Sequence, residues 1–459
     1  MTDRSHVDYL SKGRRPLMET ALVLGGSVAG MIAARVLADH ADQVWIVEPD
    51  LLEDAPVIRR GAPHGSQAHN LLGRGRTVID RLLPGVVRQM VREGGQLINS
   101  GPGGAQWFLN GRAKVPVRGG SVVSVSRPFL EWHIRRRVLA LPNVALVKGT
   151  AVGLTATADR VDGALVRPPG VTDAQRHGAE LVVDATGRSS RLADWLGRLG
   201  YPAPDKRRMA LDLGYATCLF HREPGQRLAG HVAVYSVYTP SKALTGPSSM
   251  TPVEGNRWLT LVSGYGDRRP GRDLGGFLAR CRSNPATPLQ LLPDACEPAS
   301  EVYVHRFPDS VRREFDRLDR FPAGLVVIGD AVASFNPTYG QGISVAAMQA
   351  VALAEWLAEP GAVDGPAHAY FRRVRAVVDD AWGFSAAQDC YLPHVTAPRP
   401  FGWRLRRGLA EAVQNATVTD EVVHRAFLEV VNLTAGPGRL RRPDILWRTG
   451  AAGLRRRRS

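Results

Sequence analysis

Short apolar runs that stop at small-residue or acidic turns set the plan of this chain. Ala21 to Leu24 forms the first, Gly25-Gly26-Ser27-Val28-Ala29-Gly30 follows as a tight turn, and apolar spacing continues as a helix to about His40. A second strand, Val44 to Val47, ends at Glu48. Strand, glycine turn, helix and strand make a βαβ opening with a nucleotide fingerprint. Leu181 to Val183 runs in the same way into Asp184-Ala185-Thr186-Gly187, and Gly324 to Ile328 into Gly329-Asp330. A Pro- and Gly-punctuated loop, Ala331 to Gly342, then leads to a strongly helical run from Ile343 to Ala358. Cofactor-like segments so far apart in the chain imply a long ligand.

The intervening pattern divides the rest. Arg74 to Glu93 reads as a helix, Val122 to Ser126 as a strand and Phe129 to Leu139 as a helix. Val144 to Val147, Val152 to Ala158 and Ala164 to Val166 read as a small meander with Asp162-Gly163 as its turn signal. From 201 to 320 the strands lengthen and carry aromatics, which predicts a separate sheet. There Tyr235, Tyr238, Trp258 and Tyr265 either line an apolar pocket or pack as ordinary core. The last hundred residues are helical in pattern, with Thr419 as an N-cap and Val423, Ala426, Phe427, Val430 and Val431 on one stripe, read as core or pocket cover. The fold class is therefore α/β (α+β), with a Rossmann-like domain (18–200 and 321–358), an inserted, mainly antiparallel sheet domain (201–320) and a helical C-terminal region (359–459).

Composition narrows the partners. The 459 residues are 44% hydrophobic and 22% charged, ordinary for a globular chain of two or three domains. The net charge of +16 comes from arginines spread along the chain, with no nucleic-acid motif beside them, so no nucleic-acid partner is expected. Four cysteines without CxxC spacing indicate neither a zinc site nor a disulfide framework, and His64 and His69 lack a third ligand at helical spacing. The first 20 residues carry no apolar leader core, and no run of about 18 apolar residues free of charge predicts a membrane span, which places the chain in the cytoplasm.

If a dinucleotide binds, each turn residue has a task. Gly25 permits the sharp exit from the strand, small groups at Gly26 and Ser27 admit a pyrophosphate, and Gly30 allows close helix packing. The helix start at Val28 and Ala29 offers amides and a positive dipole end, and Glu48 is placed to accept from a ribose hydroxyl. The loop Pro56 to Leu72, rich in Arg, Gly, Pro and His, has the composition of a binding loop.

Taken together, Gly25 to Gly30 with Glu48, Asp184 to Gly187, and Gly329-Asp330 followed by Phe335-Asn336-Pro337-Thr338-Tyr339-Gly340-Gln341-Gly342 resemble the FAD-dependent monooxygenases of the aromatic-hydroxylase fold. The Asn-Pro-x-Tyr-Gly-x-Gly loop, the Arg60-Gly61-x-Pro63 to His69 loop and Asp379-Asp380-x-Trp382 are similar to the flavin epoxidases of polyether polyketide biosynthesis. That resemblance implies FAD, with Gly25, Ser27, Val28, Ala29, Gly30, Glu48, Arg60, His69, Arg127, Gly187, Asp330, Pro337, Gly340, Gly342 and Ile343 around it. Phe335, Pro337, Tyr339 and Gly340 would position the reactive face, with no protein nucleophile. The implied reaction moves one oxygen of O2, through a flavin C4a-hydroperoxide, to a carbon–carbon double bond of a polyketide or terpenoid-like substrate. Aromatic hydroxylation and a geranylgeranyl-type flavin reductase are the alternatives. The resemblance implies electrons from NAD(P)H, directly or through a flavin reductase, the reductase because Asp184-Ala-Thr-Gly187 departs from the compact Asp-Gly motif linked in many aromatic hydroxylases to both FAD and NADPH.

Overall fold

The computed structural model describes residues 16–239, 245–395 and 401–458, so most of the first 20 residues, for which no apolar leader core was expected, lies outside the described residues. Five strands form a parallel sheet in the order Leu325–Val327, Leu181–Asp184, Met18–Leu24, Ala41–Glu48 and Val144–Lys148. Leu325–Val327, Leu181–Asp184 and Met18–Leu24 are apolar and largely buried, as expected where helices cover both faces, whereas the edge strand Val144–Lys148 buries only Val144. Their register brings the motif ends level: Leu24 lies beside Val47 and Asp184, and Asp184 beside Val327. Every turn predicted to bind the ligand thus leaves the carboxyl edge of one sheet, where open α/β sheets bind ligands. The helices Val28–Leu37 and Gly342–Leu357 pack against one another over this sheet.

Several local expectations change. Val144–Lys148 belongs to the parallel sheet, not to the meander, because it pairs with Ala41–Glu48. The meander is Thr150–Thr157, Arg160–Arg167 and Gln175–Gly178. Its turn falls at Ala158, which adopts φ 52°, whereas Asp162-Gly163 sits inside a strand at an irregularity. There the Asp162 carboxylate accepts from the Thr155 and Thr157 hydroxyls. Arg74 to Glu93 is two helices, Gly73–Leu82 and Val86–Arg92, broken at Pro84-Gly85. Asp420, not Thr419, caps Glu421–Val431, by accepting from the amides of Val422 and Val423.

The second sheet has eight strands, in the order Ala333–Ser334, Tyr303–Arg313, Lys206–His221, Arg257–Tyr265, Ser248–Val253, Ala233–Val237, Ala105–Leu109 and Arg112–Ala113. All its pairings are antiparallel except that of Ala233–Val237 with Ala105–Leu109. The sheet therefore reaches outside 201–320 on both edges. One face packs Phe108, Phe220, Trp258 and Met250 against the helices Leu274–Arg282 and Thr287–Ala295. The other faces a cavity roofed by the long helix His368–Asp389 and by Trp403–Ala416 and Glu421–Val431. Among the described residues no helix is long and apolar enough to cross a membrane.

Candidate functional site: a sheet edge opening on an apolar cavity

Gly25 turns out of the first strand at φ 106°, in the left-handed region that favours glycine, and a Cβ there would lie 2.6 Å from the Ala185 carbonyl oxygen. Gly30 is needed for a different reason: a Cβ would overlap the Gly25 carbonyl oxygen, so the helix sits down on its own turn. Ser27 occupies the N-cap position without capping through its side chain, and the first intrahelical bond runs from Met31 N–H to Ser27 C=O. The amides of Val28, Ala29 and Gly30 therefore have no intrahelical acceptor, as at any helix start. They face the same edge as Gly187, at φ 76°, and Asp330.

Buried charge surrounds this turn. Glu48 accepts from the amides of Gly26 (2.7 Å) and Asp50 (3.0 Å) and pairs with Arg59 at 3.4 Å. Arg59 also pairs with Asp50 and Glu131, while Arg127 donates to Glu131 Oε2 at 3.1 Å and to Ser27 Oγ at 3.0 Å. Burial pushes the Glu131 carboxyl up, but Arg127 and Arg59 outweigh it and hold it below the usual range. Asp330 shows the opposite balance: burial raises it, against the pull of Arg127, Arg188 and Arg313. Arg188 and Arg313 were not singled out from sequence. Arg188 pairs with Asp309, and Arg313 donates to the carbonyls of Asp330 and Ala331.

In the loop after Asp50, the neighbour of the expected arginine carries the contacts. Arg60 is exposed, whereas Arg59 is buried among three carboxylates, because only one of two adjacent side chains turns inward here. Arg60→Ala is accordingly expected to change unfolding free energy by less than about 0.5 kcal/mol in urea titration. His69 lies with its ring centroid 5.7 Å from His64, which lies 6.1 Å from His305. Burial and the nearby Arg127 lower both His64, to about 4, and His69, keeping these rings neutral.

The cavity, about 180 Å³, begins at this edge. Pro337, Thr338, Tyr339 and Gly340 line it, as do Tyr235, Tyr238 and Tyr265. Phe427, Leu428 and Val431 close it, so the C-terminal stripe is part pocket cover, through Phe427 and Val431, and part core, through Val423, Ala426 and Val430. Two expected residues lie elsewhere. Trp258 is fully buried on the far face of the sheet, since strand residues alternate and it stands at odd spacing from Leu261 and Tyr265. Phe335 packs in the core with its ring 6.3 Å from Trp382, which makes it a loop anchor. Ile343 is likewise buried core at the start of the helix Gly342–Leu357, and Gly342 lies beside Asp330.

Asp389 is the residue the sequence reading missed. It ends the helix His368–Asp389, and its Oδ1 accepts from Tyr339 Oη (2.8 Å) and Asn336 Nδ2 (2.9 Å); Asn336 Nδ2 also donates to Tyr265 Oη at 3.2 Å. Burial raises the Asp389 carboxyl to about 7, against the hydrogen bonds from Tyr339 and Asn336. Only the folded chain reveals this link, because Asp389 lies some fifty residues from the loop it holds.

With this geometry in view, comparison with known proteins gives the family. The chain is 35% identical over 432 residues to Protein Rv3254 of Mycobacterium tuberculosis, covering 90% of this chain and 89% of that one. The chain belongs to the Rv3254 family. No family model matches it. Among solved structures, the flavin-dependent brominase Bmp2 aligns with TM-score 0.65 and 15% identity over 95% of this chain and 99% of that one. The p-nitrophenol 4-monooxygenase PnpA from Pseudomonas putida DLL-E4 aligns with TM-score 0.63 and 15% identity, over 92% and 100%. The chain thus shares its fold with these two proteins, a Rossmann-like sheet joined to a second sheet and a helical C-terminal region.

Proposed function

We propose that this protein is an FAD-dependent monooxygenase acting on a small apolar substrate and, within that class, an epoxidase of carbon–carbon double bonds in a polyketide or terpenoid-like molecule. The observation that carries the reading is the register that levels the ends at Leu24, Val47, Asp184 and Val327, with an apolar cavity opening where the loop Pro337–Gly340 leaves that edge. The residues fit the cofactor. Gly25 and Gly30 leave a shallow cradle that any Cβ would disturb, free helix-start amides and Arg127 suit a diphosphate, and Glu48 retains lone pairs for a ribose diol. When bound, FAD supplies the reduction and activation of O2, with electrons from NAD(P)H directly or through a partner flavin reductase.

The chain's own residues position and enclose. Pro337, Tyr339 and Gly340 shape the cavity wall beside the edge, and Tyr235, Tyr238, Leu261 and Phe427 present apolar surface to a substrate and exclude water. Asp389 fixes Tyr339 and Asn336 and, near neutral pH, holds a proton in the buried carboxyl. The visible spectrum of the purified protein tests the cofactor: flavin bands are expected, and colourless protein that takes up no FAD would end the proposal. Incubation with NADPH, a flavin reductase and ¹⁸O2 then tests the reaction on alkene and phenol panels. Label in an epoxide supports the narrower reading, label in a phenol replaces it with aromatic hydroxylation, and reduction without label points to a flavin reductase.

A further inference from the structure

Residues facing the cavity form one cross-strand row of the large sheet. Leu261 pairs with Ser249, Ser249 with Tyr235, and Tyr235 with Trp107, and all four line the cavity. The next position in that row is Lys114, whose amide donates to Trp107 C=O at 2.8 Å, one step beyond the Phe108–Ala113 pair. Pairing preserves the face, so Lys114 stands on the cavity side of the sheet. Its side chain is 1% exposed. The Nζ lies 4.2 Å from the Phe427 ring centroid and 5.6 Å from that of Trp107, both cavity walls, and has no hydrogen-bond partner.

A buried ammonium without a carboxylate is costly, and proteins rarely keep one unpaired. Beside it, His424 directs Nδ1 to Val115 C=O while its buried Nε2 is unpartnered; Gln414, elsewhere on the cavity wall, has a buried Oε1 that also lacks a partner. The charged groups on the same elements are engaged elsewhere: Arg112 is exposed, Glu421 pairs with Arg425, Glu429 with Arg439 and Glu411 with Arg407. Resting on the reading of this cavity as the substrate site, we propose that Lys114 is its specificity-determining residue and binds an anionic oxygen, a carboxylate, on an otherwise apolar substrate. Two aromatic faces and a cation suit a ligand that is apolar along its length and charged at one end. Lys114 lies four strand spacings from Leu261, about 19 Å along the sheet. Tyr265, on the strand of Leu261, contacts Asn336 of the cofactor-edge loop. The substrate is accordingly elongated, with its carboxylate remote from the carbon that reacts.

Calorimetric titration of the purified holoprotein with 2-naphthoate and with 2-naphthalenemethanol, an uncharged molecule of similar shape, tests this. At pH 6.5 wild type is expected to prefer the carboxylate at least tenfold. Lys114→Met should lose that preference while binding the alcohol within twofold of wild type, and Lys114→Arg should keep part of it. Burial lowers the Lys114 amine to about 7, so the wild-type preference should fade between pH 6 and 9; His424, lowered to about 4 by burial and Lys114, stays neutral throughout. The wild-type profile scores the proposal even if a variant does not fold. No preference for the carboxylate in wild type, whether both probes bind alike or neither binds, overturns it, as does a preference that Lys114→Met retains. A colourless protein that keeps the preference would overturn the monooxygenase reading and leave Lys114 standing.

Discussion

Gly30→Ala is expected to abolish flavin retention and to cost about 3 kcal/mol of unfolding free energy, the upper end for overpacking by one methyl. The added Cβ meets the carbonyl oxygen of Gly25, a backbone atom fixed by the Gly25 N–H bond to Val47 C=O at 2.8 Å, so neither side of the clash has a rotamer to change. The turn must open, and opening it moves the free amides of Val28 and Ala29 that a diphosphate would need. Gly26→Ala is the contrast. The nearest atoms to its Cβ are Oε2, Cβ and Cγ of Glu48, at 3.0 to 3.2 Å; the carboxylate can swing away, and the Cβ contact needs a shift of only a few tenths of an ångström. That variant should fold nearly as well as wild type yet bind FAD more weakly, because Glu48 is displaced. The flavin-to-protein absorbance ratio and urea titrations check both; Gly30→Ala protein with full flavin content would show that the cradle lies elsewhere.

Asp389→Asn is expected to change how stability depends on pH. The folded carboxyl titrates near 7, above the ordinary carboxylate value of about 3.9 in an unfolded chain, so the folded state holds the proton more tightly. Its contribution to stability is fully present below about pH 4 and is lost as pH rises through 7. A shift of about three units corresponds to roughly 4 kcal/mol between those limits. Asparagine keeps an oxygen for Tyr339 and Asn336 but does not titrate, so the variant should gain on wild type by up to that amount between pH 4 and 8. Urea unfolding across this range reads it directly. Parallel curves for the two proteins would mean that Asp389 is ionised in the fold at neutral pH and holds no proton beside Tyr339.

The turn from Gly25 to Gly30 was legible because it is local. A strand, its glycine turn and the following helix span some thirty residues, and their apolar runs and small residues obey steric rules that hold wherever the chain goes. The same holds for Asp330, at a strand end, and for Val423, Ala426, Phe427 and Val430, whose helical spacing marks a single face. Arg59 and Arg60 were not separable in this way, being adjacent and chemically equal. Which of them turned inward depended on the positions of Glu48, Asp50 and Glu131.

Sequence by itself determined the parallel sheet, the turns at its carboxyl edge and the existence of a second sheet, since each follows from short-range pattern. The cavity was decided only by tertiary structure. Strand parity sent Tyr235 and Tyr265 into it and Trp258 away from it, and parity becomes a face only once neighbouring strands are in register. Long-range packing set Asp389 against Tyr339 and left Lys114 behind Trp107 and Phe427. Burial then shifted the protonation of both groups, an effect of the surrounding dielectric that no local stretch of sequence encodes.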